Sequence, residues 1–171
     1  MPQKNQKMLI DAMAVVHKAH PEVTLKIFGE GPEENSLLAH IHELELDDCV
    51  QLMGKTADVA GELARADLFV FSSDFEGMPN ALMEAMAAGM PCVSTDCPTG
   101  PKELIGENER GLLVPLGDTE AFAAAVLYMI EHVPEANTMG QKAHAYMREN
   151  YSPLSIARQL AENCEKYLHK R

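Results

Sequence analysis

Two carboxylates carry the first chemical signal. Glu76 and Glu84 are separated by seven residues, with Gly77-Met78-Pro79-Asn80-Ala81-Leu82-Met83 between them. Gly77 permits a turn that a side chain would obstruct. Pro79 fits the first turn of a helix, where its missing N–H is not needed. The N–H groups of Asn80, Ala81 and Leu82 then lack intrahelical acceptors. With the helix dipole behind them they make a site for a phosphate or diphosphate. Glu84 falls about one turn into that helix, and Glu76 stands on the loop before it. A carboxylate is a natural acceptor for vicinal sugar hydroxyls. Either Glu alone reads as a solvated charge; their placement around an anion-ready helix start is what points to a sugar phosphate.

Three other loops add weaker signals. Gly29-Glu30-Gly31-Pro32 follows an apolar run, and Gly29 and Gly31 allow positive φ or close approach to a ligand. A tight turn into a helix explains the same residues, and the third glycine of a dinucleotide fingerprint is missing. Gly54-Lys55-Thr56-Ala57-Asp58 offers backbone contacts to a base, with Thr56 at its centre. Thr99-Gly100-Pro101 reads equally as a strand-to-helix turn facing the same cleft or as a capped short helix.

Other chemistries find no support. The seven histidines form no HExxH pattern, and His40 and His42 read as solvated on a polar helical face. Asp74 and Glu76 resemble an acidic metal-binding pair, but no Asp-x-Asp occurs, so no metal is expected. There is no P-loop and no GxSxG elbow. The eleven methionines sit mostly at apolar helical positions and read as core.

The elements that must position these loops follow from periodicity. Helical spacing predicts helices over residues 5–20, 33–45, 58–66, 80–88, 119–132, 135–150 and 153–169. Apolar runs predict strands over 23–28, 50–53, 68–71, 91–95 and 111–114. Strands apolar on both faces and alternating with helices imply a parallel sheet covered on both sides. The expected fold is α/β, a doubly wound Rossmann-like parallel sheet of five strands with a helical C-terminal tail. In such sheets ligands sit outside the carboxyl ends of the strands, where all four loops fall.

The totals set bounds. At 171 residues, with 46% hydrophobic and 23% charged, the chain is one globular domain. No apolar run approaches the roughly 18–20 residues of a membrane span, and no signal peptide opens the chain. A formal net charge of −12 argues against nucleic acid or an anionic membrane as a direct partner. Phosphate binding must then be local, through backbone amides and one or two cations. Cys49, Cys92, Cys97 and Cys164 form no CxxC pair and read as reduced thiols of a cytoplasmic protein.

The frame Phe-Glu-Gly-x-Pro-x-x-x-x-Glu-Ala-Met-Ala-x-Gly-x-Pro, over residues 75–91, resembles the signature of the group-1 (family 4) retaining glycosyltransferases. The likeness extends to Lys4-Asn5, Gly29-Glu30-Gly31-Pro32, Thr95-Asp96, Gly100-Pro101 with Glu103, and Gly111-Leu112-Leu113-Val114. The family's GT-B fold has two Rossmann-like halves facing a cleft, and this sequence is similar to the C-terminal, donor-binding half alone. The resemblance implies that Glu84 accepts hydrogen bonds from the nucleotide ribose and that Glu76 sits by the transferred sugar. It implies that the amides from Gly77 to Leu82, with Met78, Pro79, Asn80 and Ala81 between, meet sugar hydroxyls and diphosphate. Lys4 would neutralise the leaving diphosphate, with no metal and no cofactor beyond the nucleotide-sugar substrate. The family places a Gly-Arg pair shortly before that Lys, which this sequence does not contain.

The resemblance therefore implies a partner, the missing N-terminal acceptor half of the same protein, which would carry any membrane contact. It also implies front-face transfer of a hexose or N-acetylhexosamine, from a UDP-sugar in preference to a GDP-sugar, in surface polysaccharide or glycolipid assembly. A non-catalytic nucleotide-sugar-binding module, or an epimerase or phosphorylase of related fold, remains the alternative. The 171-residue chain is expected to fold unaided, bind nucleotide weakly and transfer nothing. Its last helix, with Leu154, Ile156, Ala157, Leu160, Cys164 and Leu168 in a stripe, is expected to dock elsewhere.

Overall fold

The computed structural model describes residues 2–168. Met1, the expected helix end at His169 and the side chain of Leu168 lie outside the described residues. A single 3-10 turn, Pro2–Lys4, leads into α1 (Gln6–Ala19). Then come β1 (Leu25–Phe28), α2 (Glu34–Glu43), β2 (Val50–Gly54), α3 (Val59–Ala64), β3 (Phe69–Phe71) and α4 (Asn80–Ala87). After these follow β4 (Cys92–Thr95), α5 (Pro101–Ile105), β5 (Leu112–Val114), α6 (Thr119–Glu131), α7 (Val133–Asn150) and α8 (Pro153–Leu168).

Two boundaries move for identifiable reasons. Asn5 is left-handed, with φ 45°, so α1 starts one residue later than the periodicity suggests, and its side chain leaves the helix end to bond elsewhere. Helix α7 starts at Val133, ahead of the expected 135, because Pro134 falls in the first turn, where it has no N–H to lose.

All strand pairs are parallel, as expected, but the five strands do not form one sheet. β1 pairs with β2, and separately β3, β4 and β5 pair in that order. Both pieces contribute to a single core. Leu25, Ile27, Val50, Val93 and Val114 pack in one cluster with Ile10, Met13 and Val16 of α1 and Phe122, Ala123 and Val126 of α6. The layer above runs α2, α1, α6: α1 packs on both neighbours, α2 touches β2, and α6 touches β4 and β5. On the opposite face α4 packs on α7, and Leu82, Ala85, Met86, Cys92, Leu104, Ile105 and Ala143 make a second core.

Burial on both faces holds for β4, which is buried throughout, and fails for β1 and β2. Lys26, Phe28, Gln51 and Met53 are exposed, so the sheet face opposite α1 and α2 is uncovered there. Helix α8 forms over most of its expected length. The helix packs on α7, and Leu154, Ile156 and Leu160 stand 71%, 51% and 65% exposed. No described helix is long and apolar enough to cross a membrane.

Candidate donor site at the strand ends

β3 delivers its carboxyl end into the loop that holds Glu76, and the chain anchors that loop from two sides. From the amino terminus, the Gln3 carbonyl accepts from Asp74 N–H at 2.8 Å, and Gln3 Nε2 donates to the Phe75 carbonyl at 2.8 Å. Asn5 Nδ2 donates to Asp74 Oδ1 at 2.9 Å, and the Ser72 hydroxyl donates to the Lys4 carbonyl at 2.8 Å. From the β4 side, the Thr95 hydroxyl donates to the Ser73 carbonyl at 2.5 Å, and the Thr99 hydroxyl donates to the Glu76 carbonyl. Thr99 holds a left-handed φ of 63°, uncommon for a β-branched residue, in making that bond.

The result brings Lys4 and Glu76 together. Lys4 Nζ lies 2.6 Å from Glu76 Oε1 and 5.7 Å from the centre of the Phe71 ring. The carboxylate is nearly enclosed, at 8% exposure, whereas the lysine remains 45% exposed. Buried Cys97 lies close by; burial, then the Glu76 charge, pushes its thiol pKa up.

Helix α4 starts at Asn80 with Pro79 as its cap, and Glu84, one turn in, is exposed. Among the described residues no hydrogen bond or ion pair engages the Glu84 carboxylate. Two expectations at this turn need correction. Gly77 adopts no positive φ, and a Cβ there would meet nothing within 4 Å, so no steric demand explains the glycine. The Asn80 N–H is already bonded to the Met78 carbonyl at 2.9 Å. The Leu82 side chain is fully buried in the second core, while Asn80 and Ala81 are exposed at the helix start. The tight approach occurs instead at Gly100, whose φ is 103° and whose Cβ would stand 2.6 Å from Pro79 Cδ.

The other half of the site lies across the gap between the two sheets. Gly29 takes φ 131° and donates to the Gly54 carbonyl at 2.8 Å, joining the ends of β1 and β2; Gly31 adopts no positive φ. An exposed pair, Lys55 Nζ to Glu30 Oε2 at 2.7 Å, ties the same two loops. Thr56 accepts from Asp58 N–H at 3.0 Å, and Asp58 in turn caps α3 through Gly61 N–H. Thr99-Gly100-Pro101 turns from β4 into the short helix α5, which starts at Pro101 without a side-chain cap. His40 is not solvated: its Nε2 sits 2.5 Å from Asp11 Oδ1 with the side chain 14% exposed, whereas His42 is 83% exposed. Among the described residues, no group of three His, Cys, Asp or Glu is placed to hold a metal ion. All four cysteines are free thiols.

Sequence reasoning missed the loop's supports. Gln3 gave no signal and Thr99 only a turn signal, because an amide and a hydroxyl that bond distant backbone look like any polar surface residue. Residues 1–132 match the family model described as Glycosyl transferases group 1. The chain belongs to that family. Over 172 residues this glycosyltransferase domain is 33% identical to the amylovoran biosynthesis glycosyltransferase AmsK of Erwinia amylovora, covering 96% of this chain and 42% of that protein. Its fold superposes on Anabaena HepE, crystallised with UDP and glucose, at a TM-score of 0.88 and 28% identity, covering 97% of this chain and 46% of HepE. It also matches the C-terminal domain of the group 1 protein LpcC from Francisella tularensis, at a TM-score of 0.81 and 23% identity. There it covers 90% of this chain and 82% of that domain. The fold is thus the C-terminal half of a GT-B glycosyltransferase, and the chain spans less than half the length of AmsK and HepE.

Proposed function

We propose that this domain binds the donor of a retaining, metal-independent glycosyltransferase, which moves a hexose or N-acetylhexosamine from a nucleoside diphosphate sugar to a glycan or glycolipid acceptor. The observation that carries the reading is the Lys4–Glu76 pair, set beside the start of α4 with an exposed Glu84 one turn in. In this reading Glu84 accepts from the ribose hydroxyls through charge-assisted hydrogen bonds. The diphosphate lies between the Lys4 ammonium and the start of α4, where the Ala81 and Leu82 amides point out of the helix. There a cation and aligned peptide dipoles stabilise the charge that develops as the glycosidic oxygen leaves. Glu76 accepts from hydroxyls of the transferred sugar. Gly29, Gly31 and Thr56 border the nucleotide base from the other sheet piece.

No enzymic nucleophile is needed. The acceptor oxygen attacks the anomeric carbon on the face the diphosphate leaves, and its proton passes to a leaving phosphate oxygen. The acceptor site belongs, on this reading, to an N-terminal half of the same protein, and the product to surface polysaccharide. UDP is the favoured nucleotide: HepE, S. aureus TarM and pneumococcal GtfA, all similar in fold, were crystallised with UDP.

A thermal-shift panel of UDP, GDP, ADP and their sugars tests the reading, because a ligand that binds the native state alone raises the melting temperature. UDP and UDP-sugars are expected to give the largest shifts. No shift with any of the panel, from a folded sample, would overturn it.

A further inference from the structure

Helix α5 is five residues long, too short to hold its place by its own hydrogen bonds. Yet its start lies against the proposed donor site. Its N-cap Gly100 approaches Pro79 so closely that a Cβ would stand 2.6 Å from Pro79 Cδ, and Thr99 before it donates to the Glu76 carbonyl. Whatever fixes α5 therefore fixes the turn from Glu76 to Pro79.

The other end of α5 shows what fixes it. Gly106 takes a φ of 72°, in the left-handed region that glycine enters freely, and turns the chain back on the helix. That return brings Arg110 to the last carbonyls of α5. Its N–H bonds the Ile105 carbonyl at 3.1 Å, its Nε donates to the Leu104 carbonyl at 2.6 Å, and its Nη2 donates to the Glu103 carbonyl at 3.4 Å. A helix end leaves such carbonyls without partners, and a cation there also meets the negative end of the peptide dipoles.

The same guanidinium reaches α7. Its central carbon lies 4.0 Å from the centre of the Tyr146 ring, and the Tyr146 hydroxyl donates to the Glu103 carbonyl at 3.4 Å. The Arg110 side chain is only 16% exposed, so the cation–π contact is partly desolvated and correspondingly stronger. A planar fork that donates along one edge while its face stacks on a ring is a geometry arginine has and lysine lacks. The ion pair with Glu109, at 3.2 Å, joins neighbours in sequence and ties no second element. Helix α7 also packs on α4, and Leu104 and Ile105 share a core with Leu82 and Ala143. The helix that carries Glu84 and the helix that braces Glu76 thus stand on one support.

We propose that Arg110 is a positioning residue of the donor site: by clasping α5 to Tyr146 of α7 it holds Thr99 and Gly100 against the turn from Glu76 to Pro79. It touches no ligand itself. The proposal rests on the reading that Glu76 meets the transferred sugar, so loss of the clasp weakens the hold on the sugar while the nucleotide contact through Glu84 persists.

The test compares Arg110→Met, which keeps a long side chain without donors or charge, with Val126→Ala, a truncation in the other core that costs stability away from α5. Calorimetry measures affinity for UDP, UDP-glucose and UDP-N-acetylglucosamine. In Arg110→Met the ratio of affinities, better-bound UDP-sugar over UDP, is expected to fall about three- to tenfold, with UDP itself changing less than about twofold. Arg110→Lys should show a smaller fall of the same kind, and it answers the question if the methionine variant does not fold. Joined to Thr99→Val, Arg110→Met should add no further fall, because both act through one contact. Amide exchange without ligand gives a second readout. Met83 N–H, bonded to the Pro79 carbonyl at 3.0 Å, is expected to exchange about tenfold faster in Arg110→Met than in Val126→Ala. An unchanged ratio, an equal fall in Val126→Ala, or additive losses in the double variant overturns the proposal. Wild-type protein that binds none of the three nucleotides would sink the donor reading instead. Exchange at Met83 then decides the role of Arg110, and no acceleration over Val126→Ala overturns it.

Discussion

Lys4 Nζ and Glu76 Oε1 stand 2.6 Å apart across 72 residues of sequence. The cation proposed for the diphosphate and the carboxylate proposed for the sugar therefore hold each other. The lysine is 45% exposed and the carboxylate 8%, so the Lys4 end can turn to an arriving diphosphate while the enclosed Glu76 needs the sugar hydroxyls to replace its partner. The pair keeps Glu76 oriented and Lys4 within reach.

That relationship gives the two residues opposite signatures. Lys4→Ala removes one charge-assisted contact to the diphosphate and is expected to weaken UDP binding by about 1.5 kcal/mol, roughly tenfold. Glu76→Gln releases Lys4 from its partner, so UDP affinity should hold or rise slightly, while transfer by the full-length protein is lost. Isothermal calorimetry separates the two. A tenfold loss of UDP affinity in Glu76→Gln would contradict the assignment.

Glu84→Ala should weaken nucleotide binding by about 1.5–3 kcal/mol, roughly 10- to 150-fold, because two charge-assisted hydrogen bonds to the ribose disappear. The side chain is exposed and has no described partner, so the fold should tolerate the change. Unchanged UDP affinity in the folded variant refutes the role.

Thr99 acts through the Glu76 backbone rather than on a ligand. Thr99→Val removes the hydroxyl while keeping the shape. The expected cost is about 0.5–1.5 kcal/mol of stability, with a selective loss of affinity for UDP-sugar over UDP, as the Glu76 turn loosens. Thr99→Ser should restore both. Equal losses for UDP and UDP-sugar, or no rescue by serine, would reduce the bond to a structural one.

The proposed chemistry places an ammonium and a helix start where other transferases use a divalent ion. Full-length protein is expected to keep its transfer rate in excess chelator. A rate abolished by chelator and restored by Mg²⁺ or Mn²⁺ would count against the mechanism as drawn.

The order of helices and strands, the parallel pairing and the placement of Glu76 and Glu84 around the start of α4 were legible in the sequence alone. Each is a local matter: apolar periodicity reports which side of an element is buried, and Pro79 followed by a helical pattern marks a helix start wherever it occurs. The tertiary structure decided the rest. Asn80 lost its free amide to Met78, and Leu82 went into the core. Gly100 took the close approach assigned to Gly77, and His40 found Asp11 across a helix pair. Gln3, Asn5, Thr95 and Thr99 became the supports of the Glu76 loop. The division of five parallel strands into two pieces was equally invisible, since periodicity counts strands without stating which edges meet. Backbone edges and polar side chains choose partners by distance in space, and only the folded chain brings residue 4 to residue 76.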